Sequence, residues 1–102
     1  QQESRYFFYC AKEFESNELL KKLNSWEISS DQKKISKKFD FKNYYQTIAF
    51  VNATAWISHN ENHHPDLSVH YNKCVIEYTT HAVDGLTEND FICAAKIDSL
   101  KD

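Results

Sequence analysis

Five histidines, His59, His63, His64, His70 and His81, fall within one short segment, and three of them crowd around Pro65, the single proline. Histidine is the side chain whose ordinary pKa lies closest to neutrality. A cluster of this kind therefore fits an active-site segment that works by general acid–base transfer. Competing chemistries are less well provided for. His59 and His63 stand four apart and would share one face of a helix, a spacing that can hold zinc. The zinc-protease pattern, however, needs Glu directly after the first His; Asn60 occupies that place and Glu61 comes second. No Cys-rich partner or adjacent acidic constellation completes a tetrahedral set, so no metal is expected. None of Cys10, Cys74 and Cys93 neighbours a histidine in a motif, and no G-x-S-x-G occurs, so a nucleophile is not expected either. The rival to acid–base chemistry is a His-His-Pro sequence that merely ends a helix, with His70 and His81 on an exposed strand.

The bulk properties bound the answer. A chain of 102 residues, 41% hydrophobic and 15% aromatic, has enough apolar surface for one domain with one core, spanning residues 1–102. The net charge of −3 supplies no basic field for direct nucleic-acid binding or for an anionic membrane. The apolar runs are too short to span a bilayer, and no secretory signal is visible at the N-terminus. Methionine is absent, so the sequence is expected to be trimmed or mature. Three widely spaced cysteines form no disulfide framework and read as reduced thiols, which fits a cytoplasmic setting. Asn52-Ala53-Thr54 matches a glycosylation sequon by chance, inside an expected helix.

The histidines need elements to hold them. Arg5-Tyr6-Phe7-Phe8-Tyr9-Cys10 has no clear period; residues 1–12 are expected to form an extra strand, an arm or a tail against a partner. Leu19, Leu20 and Leu23 recur at helical spacing after Ser16, and this helix ends near Asn24-Ser25. Trp26-Glu27-Ile28, a turn at Ser29–Gln32, and the alternation of Ile35, Phe39 and Phe41 predict a hairpin with one apolar face. Lys33, Lys34, Lys37 and Lys38 then read as its solvated face. Asn43 to Asn62 is the strongest helix: Tyr44, Ile48, Val51 and Ala55 share one side, widened by Phe50 and Ile57, and Pro65 marks where it has ended. A second hairpin follows. Leu67, Val69 and Tyr71 alternate, Asn72-Lys73 makes the turn, and Cys74, Ile76 and Tyr78 alternate again, with His81 at the far end. Asp84-Gly85 is a turn. Thr87 caps a last helix, whose apolar face is Phe91, Ala94, Ala95, Ile97 and Leu100. Asp90 favours the positive end of that helix and is expected to reach the cap's own N–H only through water or in protonated form. Helix, hairpin, helix, hairpin, helix makes an α+β fold. It is a two-layer sandwich, with a four-stranded antiparallel sheet from two hairpins and two to three helices on one face. Its two free sheet edges invite pairing with a second copy.

His59, three residues, His63-His64-Pro65, five residues, Tyr71, nine residues, His81, eight residues, Asp90: this spaced pattern resembles that of the pterin-4a-carbinolamine dehydratases. Trp26, Phe39-Asp40-Phe41-Lys42, Tyr71-Asn72-Lys73, Thr79-Thr80-His81 and Gly85-Leu86-Thr87 add to the likeness, which covers about residue 14 to the end. Where many members carry Glu, this chain has His59. The arm at Arg5–Cys10 has no counterpart.

The resemblance implies a hydro-lyase that dehydrates 4a-hydroxytetrahydrobiopterin to quinonoid dihydropterin in tetrahydrobiopterin recycling, with no cofactor and no metal. It implies His63, His64 and His81 as catalytic positions. His64 and His81 are first choices for proton transfer, and His63 orients or also transfers. His59, Pro65, Trp26 and Asp90 are expected at the substrate, Trp26 by stacking on the pterin and Asp90 more as support for the site. Expected partners are the small pterin, a second copy in a homodimer or homotetramer, and a homeodomain transcription factor for which relatives act as dimerisation cofactor. No membrane and no direct nucleic-acid contact is expected; the setting is cytoplasmic, and nuclear for the transcription-factor role.

Overall fold

Two hairpins form, and period-2 alternation decides how they assemble. The computed structural model describes residues 13–101. β1 (Glu27–Ile28) pairs with β2 (Ile35–Asp40), and β3 (Asp66–Val69) pairs with β4 (Lys73–Tyr78), both antiparallel. The hairpins join through β2 and β4, with Phe39 opposite Cys74 and Ile35 opposite Tyr78, giving the order β1-β2-β4-β3. Side chains of successive strand residues point to opposite faces. Ile35, Phe39, Cys74, Ile76 and Tyr78 accordingly lie buried on one face, while Ser36, Lys38, Asp40 and Glu77 stand on the other. The α-helices among the described residues are α1 (Glu13–Leu20), α2 (Tyr44–Glu61) and α3 (Glu88–Lys101). Phe50 and Ile57 of α2 and Phe91, Ala94 and Ile97 of α3 enter the same core, with Leu19 and Leu20 of α1 packed against it. This is the α+β two-layer sandwich that the pattern predicts. The aromatic arm at Arg5–Cys10 lies outside the described residues.

Four local expectations are corrected. The inner face of α2 is not centred on Tyr44, Ile48, Val51 and Ala55: Val51 packs against the core, but Tyr44 and Ala55 are exposed. Phe50 and Ile57 are buried as expected and are joined by Thr47, Thr54, Ser58 and Glu61, so the buried face is turned by about 100° from the line of Tyr44, Ile48, Val51 and Ala55. Threonine tolerates this burial because its hydroxyl bonds the helix itself: Thr47 Oγ1 lies 2.9 Å from Asn43 O and 3.0 Å from Tyr71 O, and Thr54 Oγ1 donates to Val51 O at 2.7 Å. The turn of the second hairpin falls at His70, Tyr71 and Asn72, not at Asn72-Lys73, because Lys73 already pairs with Asp40 in β4. Lys37 is not on the solvated face; it lies over the Phe39 ring at 4.7 Å and pairs with Asp98 at 2.8 Å. His59 and His63 do not share a helix face, since α2 ends at Glu61. Among the described residues no helix is long and apolar enough to cross a membrane.

Candidate active site

The end of α2 delivers the histidines. At its start, Asn43 is extended and its side chain accepts the Gln46 N–H at 2.9 Å, a good N-cap. At its end, Asn62 takes the left-handed conformation with φ of 49°. Asn is one of the few residues that adopts this readily. The Asn62 N–H then donates to His59 O at 3.2 Å and the His63 N–H to Ser58 O at 3.1 Å. This paired closure satisfies the last carbonyls of the helix and reverses the chain. His63 is thereby turned into the protein, fully buried, while the next residue, His64, is exposed and Pro65 is half-buried.

His63 meets α3. Its Nε2 lies 2.5 Å from Asp90 Oδ1, and both side chains are fully buried. The other carboxylate oxygen, Oδ2, accepts the Thr80 hydroxyl at 2.8 Å and the Thr87 N–H at 3.0 Å. The expectation that Asp90 reaches the cap N–H only through water or in protonated form is therefore corrected: a carboxylate accepts directly, and α3 starts just there. Three donors on one buried carboxylate offset the high cost of taking that charge out of water. Beneath the imidazole, the Tyr78 ring stacks at 5.5 Å between centroids and 12° between planes. Burial pushes the Tyr78 phenol well above its ordinary pKa, so the ring under His63 stays neutral.

His81 arrives from the other side. Thr80 and Gly85 exchange backbone bonds, Thr80 N to Gly85 O at 2.8 Å and Gly85 N to Thr80 O at 3.4 Å. A single 3₁₀ turn, His81–Val83, bulges out between them, with Asp84 left-handed at φ 51°. His81 is exposed on this turn. Asp90 thus grips the residue before His64 through one oxygen and the residue before His81 through the other.

The remaining candidates lie elsewhere. His59 is exposed on the last turn of α2, and His70 is exposed just beyond β3. Trp26 is only 5% exposed; its indole N–H donates to Asp98 at 3.0 Å, and its ring touches Phe39 and Tyr78. The structure therefore sets Trp26 behind Tyr78, away from solvent. Cys74 and Cys93 are buried, and burial raises the Cys74 thiol above its ordinary pKa. Among the described residues no group of three His, Cys, Asp or Glu side chains is placed to hold a metal ion. The residues whose site contacts were not foreseen are Thr80 and Tyr78. Thr80 did leave a signal: it continues the inward alternation Cys74, Ile76, Tyr78 as a polar residue on an apolar face.

Comparison with known proteins places the chain in a family. The family model for Pterin 4 alpha carbinolamine dehydratase matches residues 11–100. A Nitrosospira multiformis protein with a provisional pterin-4-alpha-carbinolamine dehydratase name is 64% identical over 86 residues, covering 84% of this chain and 74% of that protein. A Legionella pneumophila protein named in the same way is 60% identical over 83 residues, covering 80% and 74%. Among solved structures, a "transcriptional coactivator/pterin dehydratase" from Brucella melitensis superposes with a TM-score of 0.86 at 28% identity, covering 90% of this chain and 98% of that one. A pterin dehydratase-like RuBisCO assembly factor of the alpha-carboxysome superposes with a TM-score of 0.66, also at 28% identity, covering 76% and 89%. Sequence and fold agree, and the chain belongs to the pterin 4 alpha carbinolamine dehydratase family.

Proposed function

We propose that this chain removes water from a 4a-hydroxytetrahydropterin, as a hydro-lyase in tetrahydrobiopterin recycling. The reaction breaks the C4a–O bond and removes the N5 proton, so that water departs and a C4a=N5 double bond forms in the quinonoid dihydropterin. Hydroxide is a poor leaving group, so an acid must protonate the oxygen while a base takes the N5 proton. His64 and His81 fill these two roles, and His63 orients them from behind. The observation that carries this reading is the Asp90 carboxylate, which holds His63 with one oxygen and Thr80 with the other. The two exposed histidines are the next residues in the chain from those two anchors. Pro65 and His59, nearest His64 in sequence, are the positions proposed to bound the pterin on that side. Asp90 and Trp26 are proposed to support the site from within, Trp26 through the Tyr78 ring that stacks on His63. No metal takes part, and no cofactor is needed.

The test is the rate of dehydration of freshly generated 4a-hydroxytetrahydropterin. Acceleration that survives exhaustive chelation supports the reading. No acceleration by folded protein, or loss of activity together with one equivalent of metal per chain, overturns it.

We also propose that the protein works as a homodimer or homotetramer. Among the described residues β3 is an edge strand, with Leu67 and Val69 exposed on the core side of the sheet, and α2 presents Tyr45 at 81% and Trp56 at 67% exposure. Apolar surface of this kind on an edge and a helix favours pairing with another copy. Light scattering that returns only the 12.0 kDa monomer at micromolar concentration contradicts it. A second role, binding a homeodomain transcription factor as its dimerisation cofactor, is supported by the coactivator description of the Brucella melitensis structure. That role would use the oligomer surface, in a nuclear as well as a cytoplasmic setting. Histidine variants that lose turnover should keep it.

A further inference from the structure

A fully buried imidazole with one nitrogen bound and the other unbound needs something to choose which nitrogen carries the proton. His63 Nε2 faces Asp90, and His63 Nδ1 finds no partner among the described residues. The Thr80 hydroxyl lies between Asp90 Oδ2 at 2.8 Å and the Thr87 hydroxyl at 2.9 Å. The direction of each bond follows from elementary donor counting. An ionised carboxylate only accepts, so the single Thr80 proton goes to Asp90. The Thr80 oxygen is then an acceptor, so the Thr87 hydroxyl donates to it. With Oδ2 occupied by the Thr80 hydroxyl and the Thr87 N–H, Oδ1 is left to take a proton from the ring, which must come from Nε2.

We infer that Thr80 is a positioning residue: its hydroxyl, relayed from Thr87, fixes the rotation of the Asp90 carboxylate and thereby holds His63 as the Nε2–H tautomer with Nδ1 as the available ring nitrogen. Thr80 is suited to this because its own backbone is doubly bonded to Gly85 and cannot drift. The same residue carries His81 as its neighbour, so one hydroxyl ties the orientation of His63 to the anchor of His81. The inference about the tautomer rests on geometry alone; its consequence for rate rests on the dehydratase reading above.

The test uses 15N-labelled protein and four chains: wild type, Thr80→Val, Thr80→Ser and Thr87→Val. In the wild type, long-range 15N–1H couplings should show His63 protonated at Nε2 in its neutral ring, with a slowly exchanging Nε2–H signal. This signal should exchange faster or move in Thr80→Val, return in Thr80→Ser, and be perturbed less in Thr87→Val, where the Thr80 donor survives. Under the dehydratase reading, kcat should fall about tenfold to a hundredfold in Thr80→Val with KM changed less, the rate equivalent of a lost hydrogen bond to a charged group. Thr80→Ser should restore it. A His63 found as the Nδ1–H tautomer in the wild type overturns the inference without any variant. So does a folded Thr80→Val chain whose His63 signal and kcat are both unchanged. A wild type with the expected tautomer and no dehydratase activity sinks the functional reading and leaves the positioning intact.

Discussion

Helix α3 carries two inward carboxylates, and they make different uses of similar chemistry. Asp98 is partly buried and takes its protons from the Trp26 indole at 3.0 Å and the Lys37 ammonium at 2.8 Å. Indole and ammonium can only donate, so this cluster ties Trp26, just before β1, and β2 to α3. Asp90 is fully buried and takes one of its protons from the imidazole of His63. Its other partners, Thr80 and Thr87, are neutral and buried. One carboxylate fastens the sheet to a helix; the other holds an imidazole in place, with exposed histidines attached to two of its anchors. A buried carboxylate is functional by virtue of what its partner can do, not by virtue of burial.

The contrast can be broken at either end. The largest effect is expected for Asp90→Ala, which strands the His63 Nε2–H, the Thr80 hydroxyl and the Thr87 N–H without an acceptor. Loss of one member of a buried pair costs about 3–5 kcal/mol, so both the melting temperature and kcat should collapse; a variant with wild-type denaturant midpoint would contradict the cluster as drawn. Next come His64→Ala and His81→Ala. Each should lower kcat by roughly a hundredfold or more, the usual worth of a positioned proton donor or acceptor, with little change in unfolding midpoint. Their double variant should fall well short of the product of the two losses if they act as one unit. Asp98→Ala should cost about 1–3 kcal/mol of stability from unsatisfied donors and leave kcat within a few-fold. If Asp98→Ala instead lowered kcat as far as His64→Ala does, the two carboxylates would not differ in kind. The smallest effects are expected for His70→Ala and His59→Glu, both at exposed positions outside the Asp90 cluster, with turnover within a few-fold in steady-state assays.

Much of this was legible in the chain. Alternation in β2 and β4 identified the sheet, because burial on one face leaves period 2 in the sequence. Asn62 and Pro65 marked the helix end, and Asn43 its start, because each residue has few other conformations to offer. The rest was hidden for physical reasons. The inner face of α2 is written in Thr47, Thr54 and Ser58, whose hydroxyls serve the backbone or neighbouring groups and so look solvent-facing by type. Lys37 looks like its lysine neighbours, yet its long apolar stem lies over Phe39 and its charge reaches Asp98. His63 and His64 are adjacent and alike in composition; only the closure at Asn62 sends one inward and the other out. Nothing local in the sequence says that Asp90 shares its two oxygens between positions 63 and 80, since that contact spans 27 residues on one side.

The central claim is that the five histidines are unequal, and that exposed His64 and His81 do the chemistry while His63 holds them from within. The direct measurement is steady-state dehydration kinetics of freshly generated 4a-hydroxytetrahydropterin by the five single histidine-to-alanine variants, with thermal unfolding run on each. The account predicts hundredfold losses at His64 and His81 in chains that melt normally, a loss at His63 accompanied by destabilisation, a change at His59 in KM more than in kcat, and near-wild-type turnover at His70. Small and equal effects at all five positions in folded protein would contradict it.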